Sequence, residues 1–234
     1  MPPKWHSLFA ATGQEGILKL VVWDFDGTLA DTRPLIEDGM RFALNALGKP
    51  DALMDKWLAC VGLPVEVGLE RTFGVGLGAE MQHILQVYRS YDWAGNTHLI
   101  RPFPGMSEFV SELRAKGIKQ AIATSKKLIA LEPQLECFGW SDVFFPIVTP
   151  ERVSRPKPHP ESLEVCLRAH NLAPHEAVMV GDTLFDLEMA NAAQVPCVGM
   201  TYGFATKEQL ASAAPIACAN SVGELRGILL DSPE

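Results

Sequence analysis

The sequence predicts an α/β protein: a doubly wound, Rossmann-like parallel-sheet core with an all-helical cap domain inserted behind its first strand. Three observations carry this reading. A nearly continuous aliphatic run, Ile17 to Asp24, ends abruptly in a carboxylate with Gly27 close behind, the pattern of a strand buried on both faces. From Pro34 to about Ala94 the apolar residues fall at helical spacing, with no strand pattern. Beyond Arg101, short aliphatic strands alternate with helices, and such alternation folds into a parallel sheet covered by helices on both sides.

Taken in order, residues 1–16 form an N-terminal extension whose single Lys4 and lack of a long apolar stretch do not suggest a signal peptide. Residues 17–32 and 101–234 make the core, and 33–100 the cap. In the cap, Ile36, Met40, Ala43, Leu44 and Leu47 form one helical stripe, and Met81, Ile84, Leu85 and Tyr88 another. Gly48-Lys49-Pro50, Gly62-Leu63-Pro64 and the Gly74 to Gly78 stretch divide it into about four helices. Arg101-Pro102-Phe103-Pro104-Gly105 marks the return to the core. A helix from Met106 to Lys116 then leads to a strand at Lys119 to Ala123, and a helix around Leu128 to Phe138 to a short strand near Val143 to Phe145. Next come a helix from Pro160 to His170, a strand at Ala177 to Val180 and a helix from Leu184 to Ala192. The chain closes with extended Cys197 to Met200, helical Lys207 to Ala213, extended Ile216 to Ala219 and helical Val222 to Leu230.

Composition narrows the function classes. With 47% hydrophobic residues the chain can bury a real core. Its 28 acidic and 20 basic residues give a formal charge of −8, a field that repels phosphate polymers and argues against nucleic-acid or membrane partners. A small anionic substrate remains open, because a metal ion and a few local cations can reverse the potential within one cleft. No run approaches the roughly 20 apolar residues of a membrane helix, so a soluble cytoplasmic protein, monomer or homodimer, is expected. Cys60, Cys137, Cys166, Cys197 and Cys218 are scattered and lack a Cys-x-x-Cys pair, which points to plain thiols rather than disulfides or zinc. His83, His98, His170 and His175 show no ligand spacing, and the tryptophans read as packing.

In open α/β sheets, ligands sit beyond the carboxyl ends of the strands, and four segments place polar residues there. In Asp24-x-Asp26-Gly27-Thr28 the two acids point to the same side of an extended chain. Two close carboxylates suit a nucleophile beside a general acid/base, with a hard oxygen-seeking cation such as Mg²⁺ nearby. The strand Ala121-Ile122-Ala123 ends in Thr124 and Ser125, whose hydroxyls can hold phosphate oxygens or simply cap a helix. In Arg155-Pro156-Lys157-Pro158-His159-Pro160 the prolines stiffen a loop that presents Lys157, suited to neutralising phosphate and carboxylates together. In Gly181-Asp182-Thr183-Leu184-Phe185-Asp186 the two acids lie one helical turn apart. Asp182 suits a direct metal ligand, and Asp186 a group that orients ligands or waters around it.

Together, Asp24-x-Asp26-Gly27-Thr28, Thr124, Lys157-Pro158 and Gly181-Asp182-x-x-x-Asp186 resemble, in order and spacing, the haloacid dehalogenase-like superfamily of phosphohydrolases. The resemblance runs from about Leu18 to Leu229. The helical insertion looks like the cap of the phosphoglycolate phosphatase and β-phosphoglucomutase branch, and Pro102-Phe103-Pro104-Gly105-Met106 is similar to that branch's re-entry into the core. The resemblance implies that Asp24 attacks phosphorus to form an aspartyl-phosphate. Asp26 would protonate the leaving alcohol, then activate water, and lend its backbone carbonyl to Mg²⁺. Asp24 and Asp182 would complete the protein ligands, while Thr124, with Ser125, and Lys157 hold the phosphoryl oxygens. Asp26 also sets the chain apart from the dehalogenases of the superfamily, which do not need that second acid. The cap loop at Gly62 and Leu63 matches the position of the branch's substrate-reading loop but carries no charge, unlike members that bind a second phosphate there. Arg33, Lys56 and Arg71 are the cap-side cations that could substitute. The implied substrate is a small phosphorylated metabolite such as 2-phosphoglycolate or a sugar phosphate. The alternatives are a phosphoglucomutase-like isomerase and, further off, a dehalogenase or a non-catalytic interaction protein.

Overall fold

In the computed structural model, residues 18–230 are described; the expected extension 1–16 and Ile17, expected to open the first strand, lie outside them. Strand β1 (Leu20–Trp23) leads through a tight loop to β2 (Ala30–Asp31). Four helices follow: α1 (Arg33–Ala46), α2 (Leu53–Leu58), α3 (Val65–Phe73) and α4 (Ala79–Arg89). Strand β3 (Arg101–Pro102) then pairs antiparallel with β2, so the two ends of the helical insertion are tied together. The remaining chain alternates: α5 (Met106–Ala115), β4 (Lys119–Ala123), α6 (Leu128–Cys137), β5 (Ile147–Val148), α7 (Glu161–His170), β6 (Ala177–Gly181), α8 (Leu184–Ala192), β7 (Cys197–Met200), α9 (Lys207–Ala211), β8 (Ala217–Ala219) and α10 (Val222–Leu230).

The sheet is parallel throughout, in the order β5-β4-β1-β6-β7-β8. Both faces are covered, and the period of two in each strand decides which side chain meets which layer. Val21 and Trp23 pack with Val178 and Val180 against Phe109, Leu113, Leu135 and Leu225 on one face. Leu20 and Val22 pack with Ala177 and Met179 against Leu163, Cys166, Leu187 and Leu210 on the other. The insertion has its own apolar centre, built on Ile36, Met40, Leu44, Trp57, Leu69, Ile84 and Tyr88.

Strand order reverses about β1, with β4 on one side and β6 on the other, and the crevice at such a reversal is where ligands bind in doubly wound folds. Trp23 is in register with both Ile122 and Val180. The tips of β4, β1 and β6 therefore end side by side, and the residues just beyond them must meet.

Two expectations shift in detail. The strand expected near Val143 to Phe145 forms instead at Ile147–Val148. Val143 and Phe144 pack onto the core. The first bonds to β4 come only at Phe145, whose N–H donates to the Gln120 carbonyl at 2.8 Å, and at Pro146, whose carbonyl accepts from the Ile122 N–H at 3.0 Å. Pro146 has no N–H to extend the ladder, and the regular strand starts after it. The β2–β3 ribbon was not expected, being too short for any periodicity to show. Among the described residues no helix is long and apolar enough to cross a membrane.

Candidate active site

Asp24 is the first residue past β1, and its N–H donates to the Val180 carbonyl at 2.9 Å, which locks the strand tip against β6. The chain then turns hard. The Gly27 N–H reaches the Ala30 carbonyl at 2.9 Å, and the Leu29 and Ala30 N–H groups both reach the Phe25 carbonyl at 3.1 Å. Gly27 adopts φ +84°, and a Cβ there would strike the Asp182 carboxylate. Glycine is thus required both by the backbone and by the close approach. The same carboxylate is backed by Gly203, another position with no room for a side chain.

Behind Asp24 lies a layer of buried charge. Lys157 donates to Asp24 Oδ1 at 2.6 Å and to Asp186 Oδ1 at 2.5 Å. It is only 4% exposed: the lysine expected on a proline-stiffened loop is sunk into the core, where its two carboxylate partners are themselves buried. The peptide bond from Lys157 to Pro158 is cis. Glu161, at the start of α7, holds the preceding loop by accepting from the Ser154 and Arg155 N–H groups, each at 2.9 Å. Asp186 Oδ2 accepts from the Thr183 hydroxyl at 2.7 Å and from its N–H at 3.1 Å, so both carboxylate oxygens of Asp186 are engaged. Asp182 accepts from the Thr28 hydroxyl at 2.8 Å and from the Phe204 N–H at 2.7 Å.

The electrostatics of this layer are out of balance. Asp24, Asp182 and Asp186 each bring a carboxylate oxygen within 4.8 Å of the others, facing the single ammonium of Lys157. Burial, only partly offset by Lys157, pushes Asp24 up to about 7. Burial, with Asp24 and Asp186 close by, raises Asp182 well above the usual carboxylate range. Burial alone would lower Lys157, but Asp186 and Asp24 overcome it and hold the ammonium firmly charged. Three hard oxygen donors with surplus negative charge fit a divalent cation such as Mg²⁺.

In front of Asp24 a cavity of about 520 Å³ opens. Asp24, Asp26, Thr124 and Ser125 border it from the core, and Gly62 and Leu63 from the insertion. Lys157, Asp182 and Asp186 are not among its lining residues; Lys157 is joined to it by its bond to Asp24. Ser125, expected on phosphate, donates its hydroxyl proton to the Gly62 carbonyl at 2.6 Å and so stitches core to insertion. Arg33 does not border the cavity: it donates to the Gly203 carbonyl at 3.2 Å and lies over the Phe204 ring. Lys56 and Arg71 do not border it either.

Two groups were missed by sequence reasoning. Lys126 donates to Asp26 Oδ1 at 2.6 Å, and Thr28, given no separate role, is the donor to Asp182. The position of Lys126, directly after the Thr124-Ser125 strand tip, was the available signal.

The chain was compared with known proteins. The profile of the haloacid dehalogenase-like hydrolases matches residues 21–200. A protein of Dickeya dadantii named probable phosphatase IndB is 32% identical over 215 residues, covering 89% of this chain and 92% of its own. A phosphoglycolate phosphatase of Yersinia pestis is 30% identical, covering 83% and 86% respectively. A solved structure from Bacteroides fragilis, described as a haloacid dehalogenase-like hydrolase, superposes with a TM-score of 0.83 at 24% identity, over 89% of this chain and 99% of that one. The acids at the tips of β1 and β6, the lysine between them and this match over most of the sequence agree: the chain belongs to the haloacid dehalogenase-like hydrolase family, and within it is a phosphatase-like enzyme.

Proposed function

We propose that the chain hydrolyses a small phosphomonoester, the class that includes 2-phosphoglycolate and sugar phosphates, through an aspartyl-phosphate on Asp24. The observation that carries this is the pair of acids on one cavity wall, each hydrogen-bonded to its own lysine: Asp24 to Lys157 at 2.6 Å and Asp26 to Lys126 at 2.6 Å. The two acids sit in different surroundings. Asp24 is 3% exposed, whereas the Asp26 side chain is 16% exposed and faces the space where a leaving group would lie.

An Asp24 oxygen attacks phosphorus as the ester P–O bond breaks, and Asp26 gives its proton to the departing alcohol oxygen. Asp26, now ionised, takes a proton from water as the water attacks phosphorus, releasing phosphate and restoring Asp24. Lys157 and Thr124 hold phosphoryl oxygens, and the Asp186 bridge fixes where the Lys157 ammonium points. Mg²⁺ would be held by Asp24, Asp182 and the Asp26 carbonyl, and when bound it offsets the surplus negative charge and draws charge from the phosphoryl oxygens. The names of the relatives, a phosphoglycolate phosphatase and a probable phosphatase, support this reading.

The test is phosphate release from a panel of phosphomonoesters with and without Mg²⁺. Release that requires Mg²⁺ and disappears in Asp24→Asn is expected. No release from any ester would sink the proposal.

A further inference from the structure

We propose that the leaving alcohol is apolar and ring-bearing, so that the preferred substrate is a phosphate ester of an aromatic alcohol rather than of a small acid or a sugar. This rests on the phosphatase reading above and narrows it.

The cavity changes character away from the acids. Beyond Asp24, Asp26 and Thr124, the insertion contributes Trp57, Tyr88 and Trp93, and helix α6 faces them with Ile129, Ala130 and Pro133. The three aromatic rings form one cluster: Trp57 to Tyr88 is 5.2 Å edge-on, and Tyr88 to Trp93 is 4.9 Å tilted. A ring entering beside them would join an existing edge and face arrangement, the geometry aromatic side chains favour. The α6 wall presents Ile129, Ala130 and Pro133 to the cavity. Ile129 is 82% exposed, so a ligand lying against it would remove apolar surface from water. At about 520 Å³ the space suits a body far larger than a two-carbon acid.

The polar groups point the same way. A carboxylate one carbon from the ester oxygen would lie near the cavity floor. The cation there, Lys126, is already held by Asp26, and Asp24 and Asp26 are themselves acidic. Arg89 and Lys127 are at the cavity too, but both bind Glu66, at 2.7 and 2.9 Å, and are about half exposed. Apart from Trp57 Nε1 and Gln134 Oε1, which have no hydrogen-bond partner, a sugar would bring its hydroxyls against Leu63, Ile129, Ala130 and Pro133, and hydroxyls stripped of water without partners are costly.

The experiment compares phosphate release, with Mg²⁺, from ethyl phosphate, 2-phenylethyl phosphate and 2-phosphoglycolate. The first two are esters of primary alcohols with closely similar intrinsic reactivity, so their difference reports the leaving-group site. The expected result is a kcat/KM for 2-phenylethyl phosphate about tenfold or more above ethyl phosphate, the scale of burying one apolar group, carried mainly by KM. It should also exceed that for 2-phosphoglycolate. Ile129→Asp, at an exposed position, should pull the ratio of the first pair back towards one. Equal kcat/KM for ethyl and 2-phenylethyl phosphate, a preference for 2-phosphoglycolate, or an unchanged ratio in Ile129→Asp would overturn the inference while leaving the phosphatase reading intact. No release from any of the three would instead overturn the phosphatase reading.

Discussion

Lys157→Met removes the single ammonium from the buried charge layer while keeping a side chain of similar length. In the native protein that ammonium touches Asp24 at 2.6 Å and Asp186 at 2.5 Å, with all three side chains almost wholly enclosed. Removing one partner of a buried ion pair costs about 3–5 kcal/mol, because the charge left behind has neither water nor counter-ion. For a chain of this size that corresponds to a fall in Tm of about 6–20 °C. The deficit should depend on pH, and its sign follows from the carboxylates. Asp24 in the folded protein lies near 7, against an ordinary value of 3.8. The folded state therefore binds the extra proton between these values, and stability falls as pH rises through that window. Without Lys157 nothing offsets the effect of burial, so the fall is steeper and reaches higher pH. Metal-free thermal unfolding at pH 5.5 and pH 8, followed by circular dichroism, should show the larger deficit at pH 8. A Tm within about 2 °C of the parent at pH 8, or a deficit as large at pH 5.5, would refute the claim that Lys157 balances buried charge.

Three further outcomes follow from the same layer. Thr28→Val deletes the hydroxyl that donates to Asp182 at 2.8 Å and should cost about 1–3 kcal/mol in urea unfolding, the scale of an unsatisfied buried acceptor; no change in midpoint would mean the bond is idle. Adding Mg²⁺ at about a hundred times its Kd should stabilise the protein by about 2.7 kcal/mol, read as a rise in Tm, and Asp182→Asn should abolish most of the rise, whereas an equal rise in that variant would place the cation elsewhere. Gly203→Ala puts a methyl group onto the Asp182 carboxylate, so calorimetric Mg²⁺ titration should show weakened binding, and unchanged affinity would mean the loop yields freely.

The core fold was legible because its signals are local. Leu20 to Trp23 and Ala177 to Val180 are apolar on both faces, and only a strand covered on both sides suits such runs. The acids stood out for the same reason, since a carboxylate ending a buried strand has few structural explanations. What stayed hidden depends on partners distant in sequence. The burial of Lys157 follows from Asp24, 133 residues away, and from Asp186, 29 residues away, while prolines around a lysine read equally well as an exposed loop. The bond from the Ser125 hydroxyl to the Gly62 carbonyl was not legible either, being set by how the insertion seats on the core. The aromatic wall was also out of reach. Trp57 and Tyr88 are core residues on different helices and Trp93 lies in the turn after α4, and only the tertiary arrangement brings them to one cavity with the acids.

The central claim is that Asp24 carries the phosphoryl group and Asp26 moves the protons. It is tested most directly by quenching Asp26→Asn with acid during reaction with a reactive aryl phosphate and mapping the phosphorylated peptide. A leaving group that needs no proton still allows transfer, but hydrolysis of the intermediate has lost its base, so phosphate should accumulate on the peptide containing Asp24 at near one per chain. Phosphate on any other residue, or steady turnover in Asp26→Asn with Asp24 unlabelled, would contradict the account.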